Sequence, residues 1–595
     1  VAYSASGAAI PYEAMSTQPI QWTISNLVGT LSTTGGTTAT LLAANALGRT
    51  GTVGATIGQT SCTAATVVQY PAVANGVRVV VIDQNTGSPV SGAVVEAENG
   101  TTATTGASGY VTFTSLTSAQ HTLSVFDASY AYVTVMATTA TDILIPLRPN
   151  PNPASFTGTL TSADFAMLSN ELGTLHVDVS GASLPPNLID TSVPALLGPS
   201  QSMTISLGTS TSYGPYNIPE GIALGLGPTM FGPGAAGGQY GITPTPGYRA
   251  LWSLGGNAVI GDVLQVIGPF LSGGMGSASQ ELPTILTASL PIVGTLESGV
   301  TSGVPVTPGE VAMLTYGTSP QPALENDTLL RLHTSVKTAV LESYTDDTGA
   351  STALDCELVL GGVLAPTQGF VPLGLTSGVD EVNASGAMMP DGLTDPATTG
   401  APEQELPLRL APRHGGLETA PWAYVTLAAT MANLSGETST GTIVAGTVVF
   451  QPTTLEYNEG ATTPVDLSHP FLPIPSGASF GVGLFTPPAP VAGATFHRLD
   501  IGSGTSQWLV YFPASLDSAA ATAIPLPTPP VGFANRATMA GATATLNTVS
   551  LGYPPPGTTT LETYDGAVRF DGVDLDDLSL ETDSFTVRVL PAASP

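Results

Sequence analysis

Along this chain, runs of about four to eight residues rich in Val, Thr, Ile and Tyr are bounded by Gly, Pro, Asn and Asp, the pattern of short strands joined by turns. Examples are 77–83, 110–114, 122–126, 132–137, 174–179, 442–450 and 585–590. In Thr174-Leu175-His176-Val177-Asp178-Val179 the odd positions are apolar and the even ones polar. That period of two puts one face on a core and the other in water. Helical periodicity is weak. The best candidates are 162–172, opened by Thr161-Ser162 as a cap, and part of 260–270. The pattern predicts a mostly β protein with few short helices, accessory to its sheets.

Organisation follows from where the strands cluster. Residues 1–76 carry Ile20-Gln21-Trp22-Thr23-Ile24-Ser25, Gly29-Thr30-Leu31-Ser32, Thr37-Thr38-Ala39-Thr40-Leu41 and Gly51-Thr52-Val53-Gly54-Ala55-Thr56. About fifty residues here resemble a bacterial immunoglobulin-like domain of invasin-type adhesins, which implies a β-sandwich with Trp22 between its sheets. Little chain precedes Trp22, so this sandwich is expected to lack a first strand or to borrow one.

Residues 77–148 run Val77-Arg78-Val79-Val80-Val81-Ile82-Asp83, Thr86-Gly87-Ser88-Pro89-Val90, Gly106-Ala107-Ser108-Gly109-Tyr110-Val111-Thr112-Phe113 and His121-Thr122-Leu123-Ser124-Val125. This segment resembles the carboxypeptidase regulatory-like domain over nearly its whole length. The resemblance implies a seven-stranded prealbumin-like sandwich and no peptidase activity. The residues agree with such a fold, since Asn85-Thr86-Gly87 suits a hairpin turn and Gly92 and Gly109 stand at expected reversals. Pro149-Asn150-Pro151-Asn152-Pro153 reads as a short stiff linker. Residues 154–595 are expected to form a large β-rich domain, or two domains split near 310 or 400. The expected fold is therefore tandem β-sandwiches followed by a large β-rich domain.

Composition narrows the class. The chain has 595 residues with 12 Lys+Arg against 43 Asp+Glu, a formal net charge of -31. That excludes a nucleic-acid binder, whose footprint is basic. Charged residues are only 9% of the chain, against roughly 25% in ordinary soluble domains. The acidity thus comes from missing bases, and Lys337 is the only lysine. With 68 Gly and 51 Pro, yet 42% hydrophobic residues, the chain is too apolar for disorder.

Starting at Val1 without a basic or apolar leader, it reads as a mature exported product. Cys62 and Cys356 are two buried thiols or one long-range disulfide. Segment 250–271 carries Asp262, Gln265 and four glycines, and reads as buried chain rather than a membrane span. N-x-S/T sequons at Asn99, Asn326, Asn383 and Asn433 fit secretion.

Catalytic signals are thin. His121, His176, His333, His414, His469 and His497 stand outside metal-ligand spacing of one another and of either cysteine. Arg413-His414-Gly415-Gly416 with Glu418 is the most reactive-looking group, and its plainer reading is a loop histidine bonded to backbone. Gly106-Ala107-Ser108-Gly109 and Gly274-Met275-Gly276-Ser277 both miss the nucleophile-elbow pattern. The surroundings of Lys337 exclude a phosphate-binding loop. Paired carboxylates of a glycoside hydrolase would be distant in sequence and leave no motif.

The densest acidic group is Asp565, Asp571, Asp574, Asp576, Asp577, Glu581 and Asp583. It suits a calcium site or a solvated turn. Tyr344, Asp346, Asp347 and Asp355 form a sparser one. Trp22, Trp252, Trp422 and Trp508 are flanked by apolar residues and read as core.

The expected function is a non-enzymatic structural or adhesive protein, secreted and held at a bacterial cell surface or appendage. Its expected partners are copies of itself, other surface proteins or glycans. No catalytic, cofactor-binding or metal residue is assigned, calcium in 565–583 being the one cofactor considered. A sharper form has residues 1–14 donated to the next subunit, building a filament by strand exchange. The alternatives are a secreted carbohydrate-active enzyme and a calcium-dependent lectin-like protein.

Overall fold

The computed structural model describes residues 76–150 apart from 85–86, most of 471–570, residue 575, residues 581–590, and the separate strands and short segments named below. The chain is mostly β, arranged in several sheets. Among the described residues the one α-helix is Tyr564–Val568, capped where Thr563 Oγ1 accepts from the Gly566 N–H at 3.1 Å. The helices expected at 162–172 and 260–270 lie outside the described residues.

Seven strands lie between residues 77 and 147. One layer has the order Tyr110–Phe113, Val77–Asp83, Asp142–Leu147. The other runs Thr102–Thr104, Val94–Ala97, His121–Phe126, Tyr132–Thr138. Val79, Val81, Ile143 and Ile145 from the first layer meet Val95, Leu123, Val125, Val133 and Val135 from the second in one core. Each such side chain contributes roughly 1.5–3 kcal/mol by leaving water.

The predicted reversals hold local meaning: Gly87, Gly92 and Gly109 all take positive φ. At Gly109 the reason is doubled, because a Cβ would lie 2.7 Å from both the Val81 carbonyl oxygen and Pro89 Cβ. The turn must press against the neighbouring strand, so glycine alone fits.

The second layer does not stop at its own boundary. Tyr132–Thr138 pairs in parallel with Ser506–Pro513, setting Tyr132 opposite Trp508 and Val135 opposite Tyr511. From there the sheet continues through Phe496–Ser503, Thr543–Leu551, Thr582–Leu590, Ile443–Phe450, Trp422–Ala429, Cys356–Ala365 and Gly369–Val379. It has twelve strands. Every other neighbouring pair is antiparallel, so the single parallel contact marks the seam between two remote parts of the chain. The ladder thus passes beyond the proline-marked segment 149–153.

Elsewhere the strands form smaller sheets. Gln21–Ile24, Thr50–Ile57 and Thr60–Val67 make one, with Trp22 half-buried. Gly29–Leu31 pairs with Leu41–Ala43, and Ala2–Tyr3 with Ala9–Ile10. The alternating segment at 174–179 belongs to Thr174–Ala182, flanked by Ile222–Pro228 and Gly247–Val259.

Candidate functional site: a buried junction

Only part of the set that looked reactive in sequence lies among the described residues. Asp565 accepts from Thr138 Oγ1 at 2.7 Å, the Thr139 N–H at 2.9 Å and Thr139 Oγ1 at 2.5 Å. It staples the turn after Tyr132–Thr138 to the short helix. Glu581 is buried, with its carbonyl accepting from Gly552 and Tyr553. Asp571, Asp574, Asp576 and Asp577 lie outside the described residues, as do Tyr344, Asp346, Asp347, Asp355, His414, Glu418, His469 and Lys337. Among the described residues, no group of three or more His, Cys, Asp or Glu is placed to hold a metal ion.

Of the sequons, Asn99 is exposed at a hairpin tip, Asn326 opens Asn326–His333, and Asn383 and Asn433 fall outside the described residues. Cys62 lies on Thr60–Val67 and Cys356 opens Cys356–Ala365. Trp508 and Trp422 are buried, as core residues should be.

His497 gathers an arrangement that its sequence neighbourhood did not advertise. Its Nε2 lies 2.9 Å from Asp517 Oδ1 and its Nδ1 2.8 Å from Thr548 Oγ1. The ring stacks on Phe512 with centroids 5.0 Å apart. Acid, imidazole and hydroxyl are the residue types of a hydrolytic triad. Here, however, His497 and Thr548 are both fully buried. A hydroxyl that no substrate reaches performs no acyl transfer, so the three side chains pin the 514–517 turn to the sheet.

The principal polar construction is at the seam. Arg498 is fully buried and grips Asp500 with two parallel bonds, Nε to Oδ1 at 2.6 Å and Nη2 to Oδ2 at 2.7 Å. It also donates to the Ile189 carbonyl at 2.8 Å and pairs with Asp190. Arg148, at the end of the seven-strand unit, pairs with the same Asp190. Two arginines thus face two aspartates, and the formal charges cancel.

Burial alone would raise the Asp190 carboxyl, but Arg148 and Arg498 outweigh it and hold the group below its ordinary range. Asp500 goes the other way: desolvation and the neighbouring Asp190 outweigh Arg498 and Arg148, and its carboxyl is raised. Taking such groups from water costs several kcal/mol per ion. The bidentate geometry is what offsets that cost. Asn187 extends the cluster by donating to the Leu575 carbonyl at 2.9 Å.

Apolar and aromatic contacts close the other side. Phe126, Tyr132 and Trp508 meet edge to face at centroid distances of 5.1 to 6.0 Å. Arg536 lies over the Tyr132 ring at 3.4 Å and donates to the Tyr130 carbonyl at 3.0 Å. Trp508 Nε1 donates to Thr134 Oγ1 at 2.9 Å. Tyr564 Oη reaches both the Met136 and Tyr511 carbonyls, at 2.9 and 3.1 Å, so it touches each side of the seam. Burial, reinforced by Asp565, pushes its phenol well above the ordinary value. Sequence reasoning missed this site. Its available signal was Arg498 and Asp500 two apart on one strand, which places both on one face.

No family model and no curated protein matches the chain. Among solved structures, BcpA, the major pilin subunit of Bacillus cereus, is similar at 8% identity over 60% of this chain and 87% of its own, with a TM-score of 0.12. Domains 4–9 of the surface layer protein SbsC align at 11% identity over 92% of this chain and 73% of theirs, with a TM-score of 0.10. Superpositions this distant carry no argument about fold or function.

Proposed function

We propose that this protein is a non-enzymatic structural or adhesive component of a bacterial cell surface or extracellular appendage. The observation that carries the reading is the junction. Of the side chains with catalytic potential, His497 and Arg498 are fully buried, and Asp190, Asp517 and the part-exposed Asp500 are paired with them. Chemistry that an enzyme would present to a substrate is here directed at holding two β regions together. The hydroxyl-rich surface composition and low charge content support the same reading.

Within it, residues 1–76 and 77–148 are immunoglobulin-like and carboxypeptidase regulatory-like modules ahead of a large β-rich region. Residues 1–14 serve as a strand donated to a neighbouring copy. Among the described residues of this segment, Ala2–Tyr3 pairs with Ala9–Ile10. No described helix is long and apolar enough to cross a membrane.

Electron microscopy of the protein isolated from its native source tests the proposal. Regular filaments or a lattice are the expected result. Dispersed monomers that hydrolyse a glycan would overturn it. Deletion of residues 1–14 should abolish assembly, and unimpaired assembly would discard strand donation.

A further inference from the structure

The geometry points to a mechanical role for residues 77–148: a shear clamp that bears tension between the chain before Gly76 and the chain after Arg148. This goes beyond the surface-protein reading and does not rest on it, because the response to load belongs to the fold itself.

The first and last strands of the unit, Val77–Asp83 and Asp142–Leu147, are direct neighbours and parallel. Their register runs without a shift from Arg78 opposite Asp142 to Asp83 opposite Leu147. Chain therefore arrives at one end of the pair and departs at the other. A pull on both ends acts along the strand axis and loads every inter-strand bond together. In a hairpin, whose two ends leave from the same side, the same pull opens the bonds one after another.

Each end of the pair is fastened twice. At the arriving end the Arg78 N–H donates to the Thr141 carbonyl at 2.8 Å, and Arg78 Nε to Asp142 Oδ1 at 2.8 Å. Gly76, just outside, has φ +122 and lies so close to Phe113 that a Cβ would fall 2.2 Å from its carbonyl oxygen. At the departing end the Gln84 N–H donates to the Leu147 carbonyl at 3.0 Å, and Tyr130 Oη to Asp83 Oδ2 at 2.9 Å. Beyond it, Ala131 donates to the Arg148 carbonyl at 2.7 Å and Asn150 to the Ser129 carbonyl at 3.0 Å. The first strand is also the middle one of its layer, held on its other edge by Tyr110–Phe113. Sliding it breaks two ladders.

The test is single-molecule stretching of the full chain, with click-reactive residues introduced as handles at two alternative pairs of positions. Handles at Ala74 and Asn152 load the strand pair in shear. Handles at Ala74 and the exposed Thr141 open it from one end. The expected result is a rupture force several-fold higher for the first pair in the same folded protein. Equal forces would overturn the clamp. Tyr130→Phe, which deletes a bond at the far end, should lower the shear force and leave the first event of end-opening unchanged. A Tyr130→Phe chain with an unaltered shear force would also count against the proposal.

Discussion

Two of the parallel strand pairs, one inside the seven-strand unit and one at the seam, are secured by different means. Between Val77–Asp83 and Asp142–Leu147 the partners are 64 residues apart, and the side-chain support includes an ion pair whose Asp142 is 34% exposed. Between Tyr132–Thr138 and Ser506–Pro513 the partners, such as Tyr132 and Trp508, are 376 residues apart, and the support is a buried aromatic cluster, a buried Trp508 bond and a four-membered charge cluster. Loop-closure entropy makes the longer connection only about 1.5 kcal/mol more costly than the shorter one. A single buried tryptophan exceeds that. The elaborate seam is therefore more than offsetting distance requires.

The sharpest way to break this contrast is to unpair the charge cluster. Arg498→Met leaves Asp500 without its bidentate partner and Asp190 with Arg148 alone, and should destabilise the protein by about 3–5 kcal/mol, read from chemical denaturation. Replacing Arg148, Arg498, Asp190 and Asp500 together with apolar residues should recover much of the loss. Trp508→Ala should cost a similar amount, about 3–5 kcal/mol, and expose the seam to proteases ahead of the seven-strand core.

Acid separates the two carboxylates. Asp190 has a lowered folded pKa, so its stabilisation is present above the unfolded value of about 4 and is lost as pH falls through the folded value. Asp500 is raised, so it takes up its proton first in the folded state, which favours folding as pH approaches that window from above. Asp190→Asn should accordingly lower the neutral-pH melting temperature and flatten its decline below about pH 4. An unchanged acid limb would show that Asp190 is not ionised in the cluster.

On the other side of the comparison, Gly109→Ala forces a side chain into a left-handed turn against Val81 and Pro89. It should cost at least about 1–2 kcal/mol, measured by the melting midpoint. Asp142→Asn should cost about 1 kcal/mol or less at equilibrium, because its partner contact is part-exposed.

Local features were legible in the sequence because their causes are local. The strand at 77–83 is observed as Val77–Asp83, and 110–114, 122–126, 132–137 and 585–590 each fall within a residue or three of the observed bounds. Alternation and turn glycines specify these without reference to anything distant. The seam was illegible for the complementary reason: nothing near Thr134 indicates that its hydroxyl will accept from Trp508. His497 and Arg498 likewise have unremarkable neighbours, and only folding brings Asp517, Thr548 and Asp190 to them. Nor does the sequence around Asp565 indicate that Thr138 and Thr139 will donate to it.

The remoteness of the seam also sets a timetable for biosynthesis. When Tyr132–Thr138 has been made, its partner is still hundreds of residues away on the template, and at about 5–20 residues per second the wait is roughly 20–75 s. Throughout that interval a strand bearing Tyr132, Val133, Val135 and Met136 presents an open edge, the kind on which chains aggregate. A cell making this protein must either keep the nascent chain from folding or shield that edge until the C-terminal strands arrive.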